Sequence, residues 1–337
     1  MKSKLGSSKV HTAAILIATI ALLWLFLRGV DLKEIQRSLL SARPWPLFWA
    51  LVATMATYFI RAVRWQGLLL PLGRAGLVNC FNATVIGFMV NFLAPARLGE
   101  IARPYLLARQ EGFSASGAFA TILLERILDL VTVVFFVAFW LLAGPKRSGS
   151  EEILSSLQLG GILGLLIGAV LLASMFLFAR YPGPATSVAH WFFRALPRGL
   201  EARAVTFLES FRAGLGVVVQ GPGFLRAMLT SVLLWLGICL SFWLTVRALD
   251  VNIGFGDTFL VIGFLTVGVA VPTPGAIGGY HYMCSLALTT LFGVAPSLAA
   301  AAALLAHAIA FLPVTILGIL LFVKAGLTFS QFQTKSR

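Results

Sequence analysis

Apolar residues run through this chain in blocks long enough to cross a lipid bilayer. A hydrocarbon core of ~30 Å takes ~20 residues of helix; runs near or above that length occupy 46–70, 118–143, 157–179, 224–246 and 298–323, with a shorter one at 12–27. Together they predict six spanning helices. The first follows Lys2, Lys4 and Lys9 as a signal peptide would, but Arg28-Gly29-Val30-Asp31 after it offers no small-x-small cleavage site, so it reads as a retained anchor.

Two further apolar stretches, 78–109 and 257–292, are each interrupted by proline and glycine. The first break reads Pro95-Ala96-Arg97-Leu98-Gly99 and the second, 179 residues later, Pro274-Gly275-Ala276-Ile277-Gly278. Both fit Pro-x-x-(Leu/Ile)-Gly. Broken helices in matching places of two halves point to a binding site, because hydrocarbon cannot satisfy the freed backbone groups. Each stretch is expected to form a hairpin. The leg 98–109 would be only about 18 Å of helix, which favours a re-entrant hairpin over two crossing helices. The legs of the second hairpin read as longer, leaving full crossing open there.

The expected fold is therefore an all-α polytopic membrane protein: six spanning helices plus two Pro/Gly-broken, re-entrant hairpins in an inverted repeat. Residues 1–337 form a single transmembrane domain, with 1–143 as the first repeat and 157–323 as the second. The second repeat carries an amphipathic insert at 180–222, cytoplasmic in the expected orientation, where Ala204, Leu208, Phe211 and Leu215 share a helical face and Arg203, Glu209 and Arg212 lie elsewhere. Gly87-Phe88 recurring as Gly263-Phe264 supports the repeat. Gly160, Gly164 and Gly168 form a small-residue stripe suited either to an internal helix contact or to a homo-oligomer seam.

Composition agrees: 59% of residues are hydrophobic and 11% charged, more apolar surface than a soluble domain can bury. The net charge of +14 is spread around the apolar runs, which argues against nucleic acid as a partner. With both termini cytoplasmic, fifteen basic residues fall inside, Arg61, Arg64, Arg74 and the six arginines from Arg180 to Arg226 among them, against seven outside. That bias sets the expected orientation of a multi-pass protein of a bacterial cytoplasmic (inner) membrane.

Charge inside apolar sequence marks the candidate chemistry. Arg97, Glu100 and Arg103 follow the first break, and Asn91 precedes it. Pro95 and Pro274 are suited to open the returning helices, whose N-termini attract anions; Gly275 and Gly278 complete the second break, and His281 follows it between Tyr280 and Tyr282. These residues form the expected substrate-binding set, with Glu100 holding Arg97 or Arg103 in the absence of lipid. The competing reading makes Arg97, Glu100 and Arg103 an ion pair that only locks the hairpin. Glu125 and Asp129, four apart on one helical face, with Arg126 about 100° from Glu125, are either proton-coupling or structural. His307 reads as a satisfied hydrogen-bonder.

Several quoted segments resemble one family over nearly the whole chain: Arg64-Trp65, the run Asn91 to Glu100 with Arg103, Glu125 to Asp129, and Pro272 to Gly278. It resembles the flippase-like integral membrane family related to the transmembrane domain of lysylphosphatidylglycerol synthases. The resemblance implies translocation of an anionic or phosphate-bearing lipid, or a related lipid-handling role. The family pattern commonly places a glutamate shortly after the last glycine, where this chain has His281, so no carboxylate role carries over there. Alternatives are a membrane-embedded lipid-modifying enzyme and a lipid-presenting partner subunit of a separate synthase. No phosphate loop, His-Glu-x-x-His or Gly-x-Ser-x-Gly motif occurs, and Cys80, Cys239 and Cys284 are isolated, so no cofactor, metal or catalytic residue is expected.

Overall fold

The computed structural model describes residues 17–94, 97–144, 151–181, 183, 198–271 and 273–326, with side chains at all of these except 151–158, 198–199 and 201–202. Every regular element among them is helical. In chain order these are α1 (Ile17–Leu27), α2 (Leu32–Leu40), α3 (Pro44–Leu68), α4 (Leu77–Leu93), α5 (Gly99–Glu111) and α6 (Ala115–Ala143). The second half holds α7 (Glu151–Arg180), α8 (Arg198–Gly214), α9 (Gly221–Ala248), α10 (Thr258–Ala270), α11 (Gly279–Phe292) and α12 (Pro296–Lys324).

Among the described residues four helices are long and apolar enough to cross a bilayer: α3, the Leu159–Arg180 part of α7, α9 and α12. Three of them, α3, α9 and α12, open with proline in the first turn, where no amide hydrogen is needed. Helix α6 is equally long at 29 residues but carries Glu125, Arg126 and Asp129. Its start is fixed by Ser114, whose hydroxyl accepts from the Gly117 amide at 3.2 Å.

The two broken stretches are hairpins, α4–α5 and α10–α11. Their legs contain 17, 13, 13 and 14 residues, so the second hairpin is no longer than the first, contrary to the expectation above. A pair of glycines pinches each hairpin. A Cβ on Gly99 would run into the Gly87 carbonyl oxygen, and Gly268 and Gly279 block each other in the same way. The partner of Gly279 is thus Gly268, while Gly263 faces Val137 of α6. Gly99→Ala is expected to push the legs apart and lower the melting temperature in detergent by several degrees, whereas Gly160→Ala, with open space around it, should leave it unchanged.

The breaks share a backbone irregularity. Arg97 and Ala276, each two residues past its proline, have φ of 53° and 56°, a left-handed conformation that side chains avoid. Both returning legs end on a left-handed glycine, Gly112 and Gly293. Pro274 opens a three-residue 3₁₀ turn, so the returning helix α11 begins later, at Gly279; Pro95 lies outside the described residues.

Packing interleaves the halves. The most extensive contact joins α3 to α9; α4 lies on α12, and α10 lies on α6. Each returning leg packs on the long helix that follows it, α5 on α6 and α11 on α12. Gly164 and Gly168 of α7 seat Val134 and Val131 of α6, which makes that part of the stripe an internal contact. The expected amphipathic face is also internal. Ala204, Leu208 and Phe211 of α8 are partly buried and Leu215 fully so, and Gly214 meets the backbone of Gly117 in α6. Large exposed side chains such as Leu159, Ile162, Leu166 and Val170 remain on the outer surface of α7, as a lipid-facing helix requires.

Candidate functional site

Helices α3, α5, α6 and α9 bring a network of charges together beside the first hairpin. Glu125, fully buried on α6, accepts from Arg103 of α5 at 2.6 Å and from Arg64 Nε at 3.4 Å. Arg64 also donates to Asp129 at 2.7 Å and to the Ser231 hydroxyl at 2.8 Å. The Trp235 indole donates to the same Asp129 oxygen at 3.0 Å. Buried carboxylates are retained only with such charged partners, because desolvation of a lone charge costs several kcal/mol. The Arg103 guanidinium additionally stacks on Trp65, 3.9 Å from the ring centroid.

The outer members of the network are held more loosely. Arg126 lies 3.3 Å from Asp129 Oδ2, and Arg61 reaches that oxygen only at 3.9 Å. Arg61 is 9% exposed, yet its Nε and Nη1 have no hydrogen-bond partner among the described residues; its guanidinium sits over Phe88 at 4.8 Å. Arg61, Arg126 and Asp129 line a cavity of about 420 Å³ bounded by α3, α6, α9, α10 and α12. Leu130, Ile238, Ile262 and Leu265 supply apolar wall, and Thr54, Thr57, Ser241 and Thr245 a hydroxyl-bearing one.

The tips of both hairpins meet at this cavity. Arg97 Nη2 donates to the Val269 carbonyl at the end of α10 (2.5 Å), tying the first break to the second hairpin. Phe92 of α4 lies against Gly275, and His307 of α12 bonds the Gly275 carbonyl at 2.8 Å. A smaller cavity of about 120 Å³ lies between the tips, and Arg97, Glu100 and Arg126 line both spaces.

The residues singled out by sequence fall into three groups. Arg97, Glu100, Arg126 and Asp129 line the main cavity, and Asn91 and Gly275 line the smaller one. Arg103 and Glu125 bond each other and line neither; of the two partners expected for Glu100, Arg97 stands 3.8 Å away and Arg103 is engaged elsewhere. His281 also lines neither. It is buried, its Nδ1 accepts from the Gly278 amide at 3.3 Å, and its ring packs on His307 with centroids 4.4 Å apart. Gly278, with φ of 88°, leaves no room for a side chain against Leu22 of α1, and Pro274 serves the 3₁₀ turn. Arg126 stands 3.3 Å from Asp129, its neighbour one turn along α6.

Arg61, Arg64, Ser231 and Trp235 were missed as site residues. Arg61 and Arg64 stand near the end of the apolar run 46–70 and read as inner-side charges; packing of α3 against α9 and α6 buries both. Their spacing of three, which puts both on one helical face, was the available signal.

A largely apolar cavity bearing arginines where two broken hairpins meet, inside a bundle of apolar helices, fits a multi-pass integral membrane protein. The chain belongs to the family described as the lysylphosphatidylglycerol synthase transmembrane region, whose model matches residues 12–318. It is 24% identical over 330 residues to a UPF0104 membrane protein of Methanocaldococcus jannaschii, covering 94% of this chain and 95% of that one. A UPF0104 membrane protein of Methanothermobacter thermautotrophicus is 22% identical over 343 residues, 95% of this chain and 98% of the relative. Glycosyltransferase AglD of Haloferax volcanii is 25% identical over 327 residues, which is 89% of this chain but only 52% of AglD. This chain thus spans about half the length of that relative.

Proposed function

We propose that the protein translocates an anionic or phosphate-bearing lipid across the cytoplasmic membrane. The observation that carries this reading is the cavity at the hairpin tips, lined by Arg61, Arg97 and Arg126 and walled by apolar side chains. Such a chamber suits a charged headgroup, with acyl chains left in the bilayer. The two hairpins act as re-entrant elements of an inverted repeat. Reciprocal packing of α4 on α12 and α10 on α6 supports the repeat, as do the glycine pinches and the matching left-handed residues Arg97 and Ala276. Glu125 is structural in this reading, since two guanidinium groups hold it. Asp129, at the cavity wall, adjusts Arg61 and Arg126.

Both termini are cytoplasmic in this scheme. Burial of Arg61 and Arg64 removes two of the fifteen inner charges, leaving thirteen against seven, so the bias keeps its direction. The relatives are archaeal, which leaves the cytoplasmic membrane, rather than a bacterial one in particular, as the proposed location.

A second reading is favoured by AglD, which is named a glycosyltransferase and shares only about half its length with this chain. Here the chain presents lipid to a separate catalytic partner or takes part in modifying it. Liposomes containing the purified protein and a fluorescent anionic phospholipid separate the two. Translocation predicts that an impermeant quencher reaches well over half of the label within minutes, with the lipid unchanged by mass spectrometry. A chemically modified lipid, or a quenched fraction equal to that of empty liposomes, would overturn it.

A further inference from the structure

Around the cavity the charges come in three sets, and two of them are out of balance. Arg64 and Arg103 share Glu125, and Arg64 also bonds Asp129, which Arg61 and Arg126 approach; Arg97 has Glu100 to itself. Five guanidinium groups against three carboxylates leave an excess of two positive charges in a setting where uncompensated charge is expensive. We infer that the group this cavity binds is a phosphomonoester-type dianion, with Arg61 as its direct ligand. The inference deepens the lipid reading above and rests on it only for the source of the phosphate.

Charge matching is the first support. A phosphodiester headgroup carries a single negative charge and would leave one guanidinium uncompensated, whereas a phosphomonoester above its second pKa of about 6 carries two. The inner set cannot supply the ligands, because Arg103 is turned onto Glu125, Arg64 is spent on Glu125, Asp129 and Ser231, and both lie outside the cavity lining. The outer set can. Arg61 is more than nine-tenths buried and lines the cavity with Nε and Nη1 unpartnered; Arg126 Nε is likewise without a partner among the described residues. Asp129 Oδ2, which also lacks a hydrogen-bond partner, stands 3.9 Å from Arg61, close enough to hold the cation by charge and too far to occupy its donors.

Donor geometry is the second. A guanidinium offers paired N–H groups to two oxygens at once, and a phosphomonoester presents three terminal oxygens where a diester presents two. Arg61 and Arg126 can therefore each engage a terminal edge of the same phosphate while Asp129 stays between them. The apolar wall of Leu130, Ile238, Ile262 and Leu265 fits an attached acyl or isoprenoid chain, although phosphate chemistry alone would equally admit a water-soluble phosphomonoester.

Binding to the full chain in detergent, followed by native mass spectrometry at pH 8, tests the inference. The probes are phosphatidic acid, phosphatidylglycerol with the same acyl chains, and glycerol 3-phosphate. Phosphatidic acid is expected to bind at least roughly tenfold more tightly than phosphatidylglycerol, and the gap should narrow at pH 5.5 as the monoester takes up a proton. Arg61→Gln should weaken phosphatidic acid far more than phosphatidylglycerol, removing most of that gap, while leaving the melting temperature close to wild type. Glycerol 3-phosphate matching phosphatidic acid would keep the dianion and make its source a solute. Equal affinity of the wild-type protein for the two lipids would overturn the inference, and this comparison needs no variant to fold. The transport assay fails separately: phosphatidic acid bound but never moved would refute translocation and leave the dianion standing. Phosphatidylglycerol bound equally and moved would do the reverse.

Discussion

Glu125→Gln is expected to destabilise the protein by about 3–5 kcal/mol, enough to remove most folded material from the membrane. The carboxylate is fully buried and answers two guanidinium groups that have little other recourse: Arg103 bonds it at 2.6 Å, and Arg64 divides itself between Glu125 and Asp129. Glutamine keeps the shape and removes the charge, so a buried cation is left unpaired. The control is the double variant Glu125→Gln with Arg103→Gln, in which the local balance returns and more than half of the lost stability should be recovered. Yield of monodisperse protein and melting temperature in detergent report both. A single variant that melts with the wild type would mean the network does not hold α5 to α6.

Arg97→Ala should act in the opposite way, sparing the fold and disabling transport. The Arg97 side chain is 41% exposed, and its ion pair with Glu100 spans 3.8 Å, so its loss removes little stability. Its position is what matters: it lines both cavities and bridges the first break to the Val269 carbonyl of the second hairpin. Losing one charge-assisted contact of about 1.5–3 kcal/mol slows lipid movement by roughly 10- to 100-fold if the contact is made on the transport path. Arg97→Lys keeps the charge without the fork and should fall between. Transport at the wild-type rate in Arg97→Ala would take this residue off the path of the headgroup.

The hairpins were legible because a Pro-x-x-(Leu/Ile)-Gly break has few readings in apolar sequence. Glu125 and Asp129 were legible as one face because they stand four apart. What stayed hidden was tertiary. Nothing local says that Arg103 turns to Glu125 rather than Glu100, or that Ser231 and Trp235, more than a hundred residues downstream, complete the site. Arg64 reads from sequence as a family-like residue and an inner-side charge, and Arg61 as an inner-side charge only; packing of α3 on α9 and α6 turns both into buried groups. His281, a polar residue beside a break, reads from sequence either as a headgroup contact or as a satisfied hydrogen-bonder; its ring caps its own helix and packs on His307. Gly87-Phe88 and Gly263-Phe264 match in letters, whereas in packing the counterpart of Gly87 is Gly268, which the sequence does not single out.

The interleaving of the halves also sets an order of assembly. Gly318 of α12 seats Met89 and the Val85 carbonyl of α4, so the first hairpin finds its cover only in a helix made after the whole of the second hairpin. Until then α4 and α5 sit in the bilayer with one flank open, and the chamber has no closed wall. A chain stalled before α12 is thus an inserted but unfinished protein, and surveillance proteases that sample loosely packed membrane helices have their opportunity in that interval.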